Sequence, residues 1–122
     1  MQLRRARSLV VLVCLSLAAG IARAEPKRVL VVHSVEAEAD WIVPSFVNLL
    51  GHFDCQITTL PAAQYQSGQL ARYAAAYYLG AREERLPHAL LADLYDAEIP
   101  VCWVGANLDQ LASQFSLGRY GF

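Results

Sequence analysis

The sequence predicts an α/β domain built on an open parallel sheet of four strands, and three observations carry that prediction. Four short runs rich in apolar residues begin near positions 28, 54, 74 and 100. Two of them, RVLVVHS (28–34) and AAAYYL (74–79), are apolar without alternation, as strands covered on both faces are. The segments between the runs are too long for hairpins, so each connection is a right-handed crossover between parallel strands.

The elements follow in order. The run 28–34 is a central strand. Residues 40–53 place Trp41, Val43, Phe46, Val47, Leu49 and Leu50 at helical spacing, with Pro44 in the first turn and Gly51 at the end. Residues 54–60 (DCQITTL) alternate more and carry Thr58 and Thr59, which suits an edge strand closed by Pro61. A short helix is expected around 67–73, and the buried strand 74–79 ends at Gly80. The charged loop 82–85 leads to a helix over 86–97, with Pro87 near its first turn and Leu90, Leu91 and Leu94 on one stripe. Pro100 opens the strand 101–104 (VCWV), Gly105 ends it, and Asn107 is placed to cap a last helix running to about Phe115. The expected strand order is 2-1-3-4, as in flavodoxin-like folds.

The chain has 122 residues, 56% of them hydrophobic and 17% charged, the composition of one small globular domain. That average hides a division. Residues 1–24 have a basic start (Arg4, Arg5, Arg7), an apolar stretch over 9–21 and small residues at Ala22 and Ala24, the three-part layout of a secretory signal peptide. Cleavage is expected between Ala24 and Glu25, giving an exported, periplasmic or extracellular body over 25–122. The apolar stretch falls short of the roughly 20 residues that span a bilayer, so no stable membrane anchor is expected after cleavage. The body holds six Lys/Arg against all eleven Asp/Glu, a formal charge of −5 where the whole chain reads −1. A body this acidic argues against binding nucleic acid or an anionic membrane surface through a broad basic patch. Cys55 and Cys102 fall on strands about three spacings, roughly 14 Å, apart, beyond the reach of a disulfide, so two buried free thiols are expected.

In such a sheet, ligands bind beyond the carboxyl ends of the strands, where the order reverses between the first and third. That rule selects His33, Ser34 and Glu36 after the first strand, Gly80 and Arg82 after the third, and Gly105 and Asn107 after the fourth. His33 and Ser34, with Glu36, Glu38 and Asp40 behind them, put a base, a hydroxyl and three carboxylates on one loop, the ingredients of a metal or hydrolytic site. The same acids also suit a helix N-terminus without any ligand. Gly80 and Gly105 are candidates for close approach of a phosphate or sugar, or simply for a bend at a strand end. Neither a G-x-G-x-x-G nor a G-K-[ST] pattern is present, nor a His-x-x-x-His or paired-cysteine spacing, so no cofactor and no metal site is called for. Cys102 lies inside its strand, where an apolar setting suppresses the thiolate, and reads as core. Tyr73, Tyr77, Tyr78, Trp41 and Trp103 are expected mostly in the core as well.

Several segments carry a family resemblance. NLLGHF (48–53), Tyr73 with AAAYYLG (74–80), LPHALLADL (86–94), VCWVGANLDQL (101–111) and the closing Tyr120-Gly121-Phe122 resemble the N-terminal region of the YdaL-like family of exported bacterial proteins. The resemblance spans most of residues 28–122. It implies a non-catalytic, amidotransferase-like α/β domain of a cell-envelope protein, preceding a polysaccharide-deacetylase-like barrel. The family's metal-binding Asp and His residues belong to the barrel, so no catalytic or metal residue carries over to this chain. The expected role is an exported accessory domain with a deacetylase-like partner domain and polysaccharide as partners, the chain being the front part of a longer protein. Two other readings compete: a small periplasmic hydrolase or esterase using the His33-Ser34 loop, and a periplasmic module that binds a small ligand.

Overall fold

A computed structural model of the chain describes residues 24–34 and 41–115. The strands are β1 (Lys27–His33), β2 (Cys55–Pro61), β3 (Ala75–Gly80) and β4 (Val101–Gly105); the helices are α1 (Ile42–Leu50), α2 (His88–Asp96) and α3 (Leu108–Gln114). The strands form one sheet in the order β2-β1-β3-β4, every neighbouring pair parallel. This is the flavodoxin-like arrangement that the unbroken apolar runs and long connections demand.

Register explains the two cores. Val31 of β1 lies opposite Thr59 of β2 and Tyr77 of β3, and Tyr77 lies opposite Cys102 of β4. Alternate residues therefore share a face across the sheet. On one face Leu30, Val32, Ala76 and Tyr78 pack under Leu90, Leu91 and Leu94 of α2 and Leu111 of α3. On the other, Val29, Val31 and Leu79 pack under Val43 and Leu50 of α1, with Phe46 edge-on to Tyr77 at 5.1 Å between ring centroids. Covering β1 from both sides is what its VLVV run anticipated. Pro44 is the third residue of α1, where its missing N–H removes none of the helix's own bonds.

Several expectations needed correction. The short helix expected over 67–73 is there, as the 3₁₀ helix Gln69–Arg72, and the correction is to its type and to a second, unexpected 3₁₀ helix, Ala62–Gln64, before it. Gly68 enters Gln69–Arg72 with φ 83°, and the Tyr65 hydroxyl accepts the Leu70 N–H, so the backbone is satisfied without an α-helix. Asn107 precedes α3 but does not cap it: its φ is 76° and its side chain is engaged elsewhere. Cys102 is exposed and Cys55 only half-buried, although both thiols are free. Cys102 and Val104 point to the face that α1 covers, but α1 stops short of β4, leaving Val104 46% exposed. Trp41 is 76% exposed, on the outer side of α1.

Candidate functional site

The carboxyl ends of β1, β3 and β4 meet as the fold rule requires, and the selected residues gather there. Glu36, with Glu38 and Asp40, lies outside the described residues. His33 and Ser34 are 1% and 0% exposed. The His33 Nδ1 sits 2.9 Å from the Ser34 carbonyl. A carbonyl only accepts, so Nδ1 is the donor in this contact. The Ser34 N–H donates to the Leu79 carbonyl at 3.0 Å, and the Ser34 hydroxyl accepts the Ala81 N–H at 3.0 Å. Ser34 thus clasps the end of β3 to the end of β1.

Gly80 and Gly105 approach each other rather than leaving a hollow. The Ala106 N–H donates to the Gly80 carbonyl at 3.1 Å. A Cβ on Gly80 would stand 2.7 Å from the Ala106 carbonyl oxygen, and one on Gly105 would collide with the Gly80 carbonyl. Gly105 also holds φ 88°, a conformation that L side chains rarely adopt. Both glycines are accounted for by backbone packing between β3 and β4.

Asn107 is the hub of the remaining groups and is 3% exposed. Its amide nitrogen donates to the Tyr78 hydroxyl at 2.8 Å and to the Arg82 carbonyl at 2.9 Å, while its amide oxygen accepts the Glu84 N–H at 2.9 Å. Gln110 extends the clasp: its side-chain Oε1 accepts the Leu86 N–H at 2.9 Å and its side-chain NH₂ donates to the Glu84 carbonyl. Loop 81–87 is held by side chains of α3 and the residue before it. Burial, together with the Glu84 charge and against the Asn107 hydrogen bond, pushes the Tyr78 phenol up to about 12. The Glu84 Oε1 is buried without a hydrogen-bond partner. Over this network lies a shallow hollow of about 310 Å³, bordered by Glu83, Arg85 and Asp109.

A second cleft, about 350 Å³, lies at the opposite end of the sheet, bordered by Gly68, Leu70, Asp93, Asp96, Glu98 and Ile99. Sequence reasoning missed it. The Asp93 carboxylate accepts the Tyr65 hydroxyl at 2.7 Å and the Gly68 N–H at 2.6 Å, tying the 3₁₀ segment to α2. Burial and the Asp93 carboxylate hold the Tyr65 phenol well above its ordinary range. No local spacing signals this link, because Tyr65 and Asp93 belong to different crossovers.

Chemically, the carboxyl-end cluster offers buried backbone clasps and a polar surface hollow. Among the described residues no group of three or more His, Cys, Asp or Glu is placed to hold a metal ion. No helix among them is long and apolar enough to cross a membrane. No family model, curated protein or solved structure matches the chain.

Proposed function

We propose that the chain is an exported, non-catalytic accessory domain that packs against a polysaccharide-deacetylase-like partner domain of the cell envelope. The observation that carries this reading is the division of labour between the two sides of the sheet. At the carboxyl ends, the groups that chemistry would use are spent on holding loops: Ser34 on Ala81, Asn107 on Tyr78, Arg82 and Glu84. At the β4 side, by contrast, apolar surface stands open at Val101 (36% exposed), Val104 and Leu108 (40%). Among the described residues no strand pairs with the outer edge of β4, and an edge without charge, proline or bulge invites pairing with another polypeptide. The signal-like residues 1–24 and the YdaL-like segments support the exported setting.

Two experiments test it. The DNA beyond the Phe122 codon and the neighbouring genes should encode a barrel with Asp/His metal ligands, and that barrel should co-purify with this domain; absence of such a frame counts against the reading. N-terminal sequencing of the protein from the periplasmic fraction should begin at Glu25. The hydrolase alternative has its own readout, since acetyl-ester hydrolysis by the purified protein that is abolished in His33→Ala would replace the accessory reading. The burial of His33 and Ser34 weighs against it, because neither side chain is open to a substrate arriving from solvent.

A further inference from the structure

The outer side of α1 presents the most exposed large apolar side chains of the described residues. Trp41, Leu49 and Phe53 are 76%, 59% and 66% exposed, while Val43 and Leu50 face the core. Trp41, Ser45 and Leu49 recur at intervals of four, one side of a helix. The helix does not end abruptly: the His52 N–H bonds the Leu49 carbonyl and the Phe53 N–H the Leu50 carbonyl, which carries the stripe on to Phe53. From Trp41 to Phe53 there is no Asp, Glu, Lys or Arg. A surface helix ordinarily presents charge outward, and this one presents a tryptophan, a leucine and a phenylalanine.

We propose that this stripe is the interface of a two-fold symmetric homodimer, with α1 packed antiparallel against α1 of a second copy. Area, charge and pattern point to the same occupant. Two aromatic side chains of about 150–250 Å² each with a leucine beside them, exposed to this degree, present roughly 400 Å² of apolar surface. The exposed Pro44, Ser45, Asn48 and His52 border it and bring the patch toward the ~800 Å² per partner of a standard interface. A net acidic chain repels its own copies wherever carboxylates meet, and the interval 41–53 is free of them. The stripe is also self-complementary. An antiparallel pairing centred near Val47 sets Trp41 of one copy against Phe53 of the other, and Leu49 over the small Ser45, so large meets large at the ends and a leucine fits over a serine between. This is the isologous pattern that a two-fold interface requires. Asp54 borders the stripe and falls at its rim, so like charges oppose the dimer weakly and added salt strengthens it.

The dimer is independent of the accessory-domain reading, which uses the open side of β4. The purified protein, followed by sedimentation equilibrium from low micromolar to near-millimolar concentration, should pass from one to two chains, with the midpoint falling as salt rises. Leu49→Glu and Phe53→Glu should each raise that midpoint at least tenfold. Both side chains are exposed, so near-ultraviolet circular dichroism and Tm, taken well below the parent's midpoint concentration where all the proteins are monomers, should match the parent and separate lost association from lost folding. Val104→Glu, on the open face of β4, should leave the midpoint unchanged. A protein that stays monomeric throughout overturns the proposal. So does a dimer that survives Leu49→Glu but is lost in Val104→Glu, which would place the contact at the β4 edge, or a monomer that binds phosphatidylcholine vesicles through Trp41, which would make the stripe a lipid contact.

Discussion

Gly105 shows how much a single position can depend on its neighbours. Its φ of 88° and the Gly80 carbonyl beside it leave no room for a side chain. Gly105→Ala should therefore destabilise the fold by more than ~2 kcal/mol in urea unfolding, a backbone collision adding to conformational strain. Gly68 has a similar φ of 83° but open space around it, so Gly68→Ala should cost only ~1 kcal/mol. The contrast isolates the collision from the strain. Asn107→Ala should cost ~2–4 kcal/mol, because it strands the Glu84 N–H and the Arg82 carbonyl together with the Tyr78 hydroxyl. Tyr78 makes a prediction in pH. Its phenol is raised from 10 to about 12 in the folded state, so between those values the unfolded chain releases a proton that the folded chain retains. Stability is unaffected below pH 10 and falls as pH rises toward 12, and the raised Tyr65 acts in the same direction. Urea midpoints measured across that window should fall less steeply in Tyr78→Phe than in the parent. The sequence made Gly105 and Asn107 visible as strand-end residues. It did not reveal their partners, because Gly80, Tyr78 and Arg82 come from the preceding strand and loop.

At the scale of elements, what was legible followed from burial pattern. An unbroken VLVV run has one stable setting, between two layers, and β1 takes it. The stripe of Leu90, Leu91 and Leu94 likewise has one direction to face, and Leu90→Ala or Leu91→Ala should cost ~2–5 kcal/mol in chemical unfolding, since both are fully buried. The short helix over 67–73 was legible, but its 3₁₀ form and the turn at 62–64 were not. Their geometry depends on Tyr65 and Asp93, which the fold brings together from positions 28 residues apart. The cysteines expose the same limit. A strand-interior thiol reads as core only if something covers its strand, and α1 does not reach β4. Cys102 should therefore react with a thiol reagent in the native state much faster than Cys55, whose half-buried sulfur lies 3.5 Å from the Leu50 carbonyl as a hydrogen-bond donor. Equal rates for the two would mean that β4 is covered in solution.

For the molecule as a whole, strand order keeps the two thiols apart. With β2 and β4 at opposite edges, three strand spacings separate Cys55 from Cys102. Mild oxidation followed by peptide mass mapping should yield no bridge between them within one chain. The sequence by itself determined the class of the fold and the strand order, because continuous apolar strands with long connections admit few arrangements, and the handedness of crossovers removes most of those. It also marked the carboxyl-end residues by their place in the chain. Only the tertiary structure decided what those residues do, that Ser34, Gly80, Gly105 and Asn107 hold one another's backbone at the strand ends. It alone decided where apolar surface remains, on the outer side of α1 and along β4. Periodicity within a segment records that a face is apolar, but whether that face is covered depends on elements elsewhere in the chain and on how far each one reaches.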